Sequence, residues 1–174
     1  MNAQPANLNY WLLKSEPSTY SITDLQIEGN TLWDGVRNYQ ARNFLRQMQV
    51  GDLGFFYHSN VKPPGIVGLM RIIEVGVTDP TQFDPNSPYY DPKSSPDAPR
   101  WQTVRVEFLE IWQEILTLDT LKQHFRPEEL AVVQRGNRLS VMPVAVPIAQ
   151  RLKRDSSGGQ KIDLSSNTGL SPIR

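Results

Sequence analysis

Apolar residues recur in alternating or short continuous runs at several places along the chain. Residues 10–14 form an aromatic and aliphatic run that ends in a Ser-Glu-Pro turn. The side chains of residues 53–58 would alternate between the two faces of a strand, and both faces carry apolar groups. Residues 66–77 are rich in Val and Ile. Such segments are typical of strands. In 103–112 the apolar positions change phase near Phe108, which indicates a bulge that curls the sheet. We therefore predict four strands in these segments.

Other segments carry helical spacing or helix-capping signatures. A Ser followed three positions later by an Asp opens a predicted short helix over 22–26. Apolar residues three or four positions apart predict a helix over 38–50. Short helices are also predicted over 118–125 and over 127–133, where a Pro and two Glu form the first turn. A last strand is predicted over 138–144.

This mixture of strands and helices predicts one α+β domain, for which 174 residues supply enough core. We assign the folded domain to 9–152, preceded by a flexible N-terminus over 1–8. The residues from 153 to 174 contain few large apolar groups, so we predict a flexible tail there. No run approaches the about 18 apolar residues of a membrane span, and the first thirteen residues lack a secretory signal. We therefore expect no membrane association and a cytoplasmic location.

Positive and negative charges balance over the chain but are separated along it. The totals are 18 Lys and Arg against 18 Asp and Glu. Residues 34–71 carry a local charge of +3 and residues 72–99 one of −4. A neutral total argues against broad electrostatic coating of nucleic acid. One interpretation is that both blocks are ordinary solvated surface. The other is that the positive block forms a small basic face, in which Arg42 and Arg46 lie together on the outer side of the predicted helix.

Several kinds of catalytic and cofactor site are excluded by the residues that the sequence lacks. The chain has no Cys, and its two His are 66 positions apart, so no zinc motif is present. It also lacks the G-x-S-x-G elbow of hydrolases, the phosphate-binding G-x-x-x-x-G-K-[ST] loop and the dinucleotide G-x-G-x-x-G. We predict neither a metal nor a cofactor.

The segment 79–100 is unusually rich in proline and has no helix or strand pattern. It contains six of the 14 prolines and the pair Tyr89-Tyr90. Loops of this length inside compact domains are either functional or disordered. Disordered linkers seldom contain large aromatic residues, so we interpret the segment as a binding loop.

Two of the four tryptophans stand beside polar or turn-forming residues. Trp33 precedes Asp-Gly-Val-Arg-Asn, and Trp101 follows Pro-Arg. Such contexts suit a ring that stacks on a flat ligand at the rim of a site. Trp11 and Trp112 lie within apolar runs, and we expect them in the core.

At these motifs the sequence resembles the EVE domain family over roughly 9–146. The order and spacing of the motifs make the resemblance specific. They are Tyr10-Trp11-Leu12-Leu13-Lys14-Ser15-Glu16-Pro17, Trp33-Asp34-Gly35-Val36-Arg37-Asn38-Tyr39-Gln40-Ala41-Arg42-Asn43, Gly51-Asp52, Phe56-Tyr57-His58-Ser59-Asn60, Pro64-Gly65-Ile66-Val67-Gly68, Tyr89-Tyr90-Asp91 and Pro99-Arg100-Trp101.

The resemblance implies a PUA-like fold, in which a curled mixed sheet closes into a small barrel with flanking short helices, related to YTH domains. It implies a monomeric, non-enzymatic reader that binds a modified base in an aromatic pocket, above all a modified cytosine in DNA. The implied base-binding residues are Lys14, Ser15, Trp33, Gly35, Val36, Asn38, Tyr57, His58, Ser59, Tyr89 and Trp101. Phosphate contacts are assigned to Arg37, Arg42 and Arg46.

The sequence departs from the family pattern at Ala145-Val146-Pro147-Ile148, which leaves a C-terminal helix open, and in the predicted tail. Three other functions also remain open. A YTH-like protein would read modified RNA with the same pocket. An enzyme acting on a modified nucleoside or small ligand would use His58 to carry a proton. An interaction module would bind a protein partner through 79–100.

Overall fold

The computed structural model describes residues 7–156, in which a six-stranded mixed sheet carries four helices. The strands β1 to β6 are, in chain order, Tyr10–Ser15, Asn30–Leu32, Leu53–His58, Gly65–Thr78, Gln102–Thr117 and Val141–Val144. The helices α1 to α4 are Ile22–Glu28, Tyr39–Gln47, Leu118–His124 and Val146–Asp155. Short 3₁₀ helices lie at Pro80–Phe83 and Ala131–Val133.

The sheet has the order β2-β5-β4-β3-β1-β6 and contains one parallel pair, β1 with β3. All other neighbours are antiparallel. Between β4 and β5 the register shifts where Leu69 pairs with Glu110 and Met70 with Phe108. The predicted bulge near Phe108 is therefore confirmed.

The predicted mixed sheet with flanking short helices is confirmed, but the sheet does not close into a barrel. Within residues 7–156, the edge strands β2 and β6 pair with β5 and β1 only, and not with each other. Helix α2 contacts both β5 and β6. It thus occupies the space across which the two edges of a barrel would have met.

Alternation along β1 sends side chains to both faces of the sheet, as its strand pattern predicts. Tyr10 and Leu12 enter one buried cluster, which also contains residues of α3 and α4. Trp11 and Leu13 enter a second cluster, with residues of α1 and α2. Both faces of the sheet are therefore covered, and a binding site must lie at an edge or at strand ends.

Side-chain caps determine where the first two helices begin. Ser21 accepts a hydrogen bond from the backbone N–H of Asp24, whose carboxylate accepts one from the N–H of Ser21. Asn38 Oδ1 accepts one from the N–H of Ala41 and caps α2. These bonds satisfy N–H groups that have no partner within the helix. The first helix was predicted from its capping residues and the second from the spacing of its apolar residues.

The predicted helix over 127–133 is wrong, because only the 3₁₀ helix Ala131–Val133 forms there. The backbone oxygen of Ala131 accepts from the N–H of Gln134, as in a 3₁₀ turn, and from the side-chain amide of Asn137. Strand β2 was not predicted. Its three residues are too few for a visible alternation.

A C-terminal helix, α4, is present, although the departure from the family pattern had left it open. It begins with Pro147 in its first turn and buries Ile148, Ala149 and Leu152. It continues to Asp155, three residues into the segment predicted as a flexible tail. The rest of that prediction, and that for 1–6, falls outside the described residues. Within 7–156, no helix is long and apolar enough to cross a membrane.

Candidate functional site: a cavity at the ends of the parallel strands

A cavity of about 910 Å³ opens where β1 and β3 end. The two strands are parallel, with Ser15 opposite His58, so their carboxyl ends meet at the same edge. Lys14 and Ser15 come from the end of β1, and Ser59 follows β3. The N–H of Ser59 donates to the backbone oxygen of Ser15 at 3.0 Å. The N–H of Lys14 donates to the oxygen of Ser140, which brings the segment before β6 to the same wall.

A second wall of the cavity is the turn 33–38, which connects β2 to α2. The carboxylate of Asp79, 1% exposed, holds this turn. Its Oδ2 accepts from the N–H of Gly35 and from Arg37 Nη1, both at 2.9 Å. Its Oδ1 accepts from the N–H and the hydroxyl of Thr81. Burial alone would raise the pKa of Asp79, but these hydrogen bonds outweigh burial and lower it. The carboxylate therefore stays ionised and fixes the turn.

Tyr89 covers the turn from outside. Gly35 has φ +82°, and a Cβ atom at this position would lie 2.7 Å from the tyrosine ring. Only glycine combines this left-handed conformation with such a close approach. Arg37 Nε donates to the backbone oxygen of Tyr89 at 2.8 Å. The turn and Tyr89 thus form one packed unit at the cavity wall.

The segment 79–100 that carries Tyr89 is an ordered loop built around Gln82, whose side chain is fully buried. Gln82 Nε2 donates to the backbone oxygens of Asp79 and Trp101. Its Oε1 accepts from the hydroxyl of Ser94 and from the N–H groups of Arg100 and Trp101. One buried amide therefore joins both ends of the loop and determines where Tyr89 stands.

Trp33 is a rigid part of the cavity wall. The residue is 6% exposed, and its ring meets the edge of Phe56 at 5.3 Å between centroids. Its backbone N–H donates to Val104, and its backbone oxygen accepts from the hydroxyl of Thr103. These contacts tie it to β5. The cavity wall therefore contains one tryptophan, whose position is set by the core.

Trp101, by contrast, lies outside the cavity wall. Its ring stacks on Tyr39, with centroids 4.9 Å apart and planes at 17°. Its Nε1 donates to Asp91 Oδ2 at 2.7 Å, and the residue is 5% exposed. The structure therefore does not bring the two predicted cage tryptophans together. Tyr39, which sits between Trp101 and solvent, was not singled out in the sequence.

Lys14 lies in the cavity wall, and burial lowers the pKa of its amine. Its Nζ lies 5.7 Å from the centroid of Tyr57. Tyr57 is itself 3% exposed, and burial raises its pKa to about 12. It belongs to the core cluster on the α3 and α4 side. Within residues 7–156, no carboxylate lies at ion-pair distance from Lys14, so its charge is available to a ligand.

His58 faces helix α1 and is not part of the cavity wall. Its Nε2 accepts from the N–H of Ile22, at the start of α1, at 3.1 Å. Its ring packs against the edge of Phe56. Burial lowers the pKa of the imidazole, which favours the neutral form that can accept this bond. The neutral ring therefore supports the start of a helix.

The three arginines predicted as phosphate contacts have different surroundings. Arg37 lines the cavity and is paired with Asp79 at 2.9 Å. Arg42 donates to the backbone oxygen of Arg100 and to the side-chain oxygen of Asn43. Arg46 donates to Gln102 Oε1. In the part of the chain that the structure describes, neither Arg42 nor Arg46 has a carboxylate partner.

The predicted site residues therefore fall into two groups. Those in the cavity wall are Lys14, Ser15, Trp33, Gly35, Val36, Arg37, Asn38, Ser59 and Tyr89. Those outside it are Tyr57, His58, Trp101, Arg42 and Arg46. Sequence reasoning missed Tyr20, Asp34 and Arg138, which also line it. Arg138 precedes β6 and reaches the cavity through strand pairing, for which no local signal exists.

The residues that line the cavity suit an organic ligand with polar edges. Their aromatic rings offer stacking surfaces, and their hydroxyl, amide and carboxylate groups offer hydrogen bonds. Partial desolvation and the charge of Asp79 raise the pKa of Asp34. Among residues 7–156, no group of three or more His, Asp or Glu side chains is placed to hold a metal ion.

Three relatives resemble this chain over most of its length. Thymocyte nuclear protein 1 of Rattus norvegicus is 46% identical in an alignment 154 positions long, which covers 78% of this chain and 68% of the relative. A structure from Pseudomonas syringae superposes with a TM-score of 0.82 at 47% identity, covering 84% of this chain and 99% of that one. Human THYN1, solved in complex with 5-methylcytosine-containing DNA, superposes with a TM-score of 0.80 at 40% identity, covering 85% and 97%.

A YTH domain, that of Pho92, superposes with a TM-score of 0.51 at 12% identity, covering 94% of this chain and 91% of that one, which is a likeness of fold alone. The sequence profile of the EVE domain matches residues 9–153. That match and the identities of 40–47% to the three relatives agree with the motifs from which the resemblance was recognised. The chain belongs to the EVE domain family.

Proposed function

We propose that this chain reads a modified cytosine in DNA by holding the base, rotated out of the duplex, in the cavity beside β1 and β3. One observation carries the proposal. The cavity combines a fixed tryptophan, Trp33, with polar side chains in its wall, in a chain 40% identical to human THYN1, whose structure contains 5-methylcytosine DNA. A base inside a duplex is inaccessible to such a cavity, so extraction is part of the proposal.

Three cavity side chains supply hydrogen bonds to the edge of a cytosine. The carboxylate of Asp34 accepts from the exocyclic amino group, the usual partner of an acidic side chain on cytosine. Asn38 uses its oxygen to cap α2, which leaves its amide N–H groups for the carbonyl or ring nitrogen of the base. The amine of Lys14, which has no carboxylate partner in the described part of the chain, donates to a further acceptor.

The energy terms explain why base contacts alone do not suffice. Extraction of a base takes a few kcal/mol, and stacking on an aromatic ring returns about 1–3 kcal/mol. An added methyl group in an apolar pocket is worth roughly 1–3 kcal/mol. Net affinity therefore depends on edge hydrogen bonds and phosphate contacts. We expect a modest preference for the modified base over plain cytosine.

We assign the phosphate contacts to Arg42 and Arg46, because within residues 7–156 both form hydrogen bonds only with neutral oxygens. Arg37 was predicted to join them. Its pairing with buried Asp79 and its bond to Tyr89 instead support a positioning role. We propose that Trp101 acts through Tyr39, and that Tyr57 and His58 act through packing, since none of them lines the cavity.

We propose a non-enzymatic reader rather than an enzyme. The proton carrier required by the enzymatic alternative was His58, and its Nε2 is occupied by the N–H of Ile22. No histidine lines the cavity. An RNA reader of the YTH type remains the alternative, and only a distant likeness of fold supports it. The monomeric state and the cytoplasmic location stay predictions from the sequence.

The test is a binding panel of DNA and RNA oligonucleotides that carry one cytosine, 5-methylcytosine or 5-hydroxymethylcytosine. We expect DNA with a modified cytosine to bind most tightly. Trp33→Leu should remove the preference between bases. Trp112→Leu, a matched change in the other core cluster, should lower stability without altering the preference. Equal binding of modified and plain cytosine by the unaltered protein would contradict the proposal, and tighter binding of RNA would favour the alternative.

A further inference from the structure

An exposed aromatic ring stands beside the cavity on a rigid support. Tyr39 is the first residue of α2 and is 48% exposed, whereas the Trp101 ring on which it stacks is 5% exposed. The indole N–H of Trp101 is held by Asp91, and its backbone is held by Gln82. A half-exposed tyrosine is not required for packing of the core at this position. The Tyr39 ring is held in place and is accessible from solvent.

A guanidinium group stands at the side of this aromatic pair. Arg42 Cζ lies 4.7 Å from the centroid of Tyr39 and 5.7 Å from that of Trp101. With 4.9 Å between the two rings, these distances form a nearly equilateral triangle, so Arg42 does not lie on the side of Tyr39 opposite Trp101. Arg100 Cζ lies 5.8 Å from the Tyr39 centroid, but Arg100 is paired with Asp91 at 3.7 Å. An exposed ring beside the cation of Arg42, which has no carboxylate partner among residues 7–156, matches a nucleic acid, in which bases alternate with phosphates.

The position of this ring relative to the cavity suggests which part of the DNA it meets. Asn38, the residue before Tyr39, lines the cavity. Extraction of a base leaves a gap in the duplex at the point where the nucleotide turns toward the cavity. Proteins that disrupt stacking commonly insert a large side chain at such a gap, because its contacts replace part of the lost stacking.

We propose that Tyr39 stacks in the gap left by the extracted base, while Arg42 contacts a flanking phosphate. The inference rests on the proposed function and names its partner as double-stranded DNA. Single-stranded DNA has no gap to fill. The contribution of Tyr39 is therefore specific to the duplex, whereas that of the cavity is common to both forms.

The test compares Tyr39→Ala with the unaltered protein on a duplex and on a single strand of the same sequence, each with one 5-methylcytosine. We expect the duplex affinity to fall about tenfold relative to the single-strand affinity, as loss of one stacking contact implies. Tyr39→Phe should retain the duplex affinity, because it keeps the ring. Tyr90→Ala removes another exposed tyrosine, 42% exposed, from the loop 79–100 and serves as the control.

A second measurement reads the filling of the gap directly. Extraction of the modified cytosine removes one stacking partner of the adjacent base, and Tyr39 replaces that partner. A 2-aminopurine at the adjacent position brightens when it is unstacked, so it should be brighter with Tyr39→Ala than with the unaltered protein, at saturating protein. Thermal unfolding of the three tyrosine variants checks that the fold is kept. An equal loss of affinity for duplex and single strand, or no loss for either, would overturn the inference. A lack of preference for modified cytosine in the unaltered protein would instead overturn the proposed function.

Discussion

The ring of Tyr89 packs directly on the backbone of Gly35, so that a single added carbon at position 35 would lie 2.7 Å from it. Gly35 also donates its N–H to the buried carboxylate of Asp79. One glycine therefore joins the Pro-rich loop, the cavity wall and a buried charge. This contact explains how Tyr89, which is distant from Gly35 in the sequence, helps to determine the shape of the cavity.

Gly35→Ala is expected to weaken both the fold and the site. The new methyl group must displace the Tyr89 ring, and φ +82° is unfavourable for alanine by about 1–2 kcal/mol. We expect a lower free energy of unfolding in urea and a loss of modified-base binding. Gly51→Ala is the matched control, because Gly51 has φ +96° with open space around its Cβ position. It should lower stability similarly and leave binding unchanged.

Trp101→Ala is expected to lower stability as well as binding. A ring this buried contributes about 3–5 kcal/mol when it is truncated to alanine. The sequence context of Trp101 predicts a ring at the rim of a site, whereas the structure buries this residue. Chemical denaturation measures the difference. An Ala variant as stable as the unaltered protein would show that Trp101 does not pack as described.

Acidification is expected to lower stability through His58. Burial holds the pKa of the folded imidazole below its ordinary value of 6.5, so the unfolded chain binds a proton more readily. Stability should therefore fall as the pH drops from 7.5 through 6.5. His58→Gln should flatten this dependence, although it removes the imidazole acceptor for Ile22 and lowers stability at pH 7.5 by about 1 kcal/mol.

The matched control for this pH effect is His124→Gln, since His124 is about half exposed and faces Asp155. Midpoints of urea unfolding at pH 7.5 and 5.5 measure both variants. If His124→Gln, and not His58→Gln, removed the acid sensitivity, the assignment to His58 would be wrong.

Arg42→Gln combined with Arg46→Gln is expected to weaken binding to modified and plain DNA alike. Each lost phosphate contact should reduce the slope of log affinity against log salt by about 1. Titrations at several salt concentrations measure the slope. Arg71→Gln, which removes a partly exposed cation already paired with Glu107, should leave the slope unchanged. If the preference for the modified base were lost and the salt slope were unchanged, these arginines would instead take part in recognition of the base.

Much of the local structure follows from neighbouring residues and was therefore predictable. The caps at Ser21 and Asn38 act within three residues, and the alternation in β1 and β3 is visible in the sequence. The family motifs extend this to the overall fold. Nine of the predicted site residues line the cavity. The turn 33–38 supplies five of these nine, because the residues of one short turn lie close together and therefore line the same site.

The sequence by itself determined which segments form strands and helices, which residue types are available for a ligand and where the charges separate. Only the tertiary structure decided which aromatic rings meet. Trp33 and Trp101 have similar sequence contexts, yet one lines the cavity and the other supports Tyr39. The reason is physical: long-range contacts such as that between Asp79 and Gly35, 44 positions apart, depend on sheet order and loop path, which no local pattern encodes.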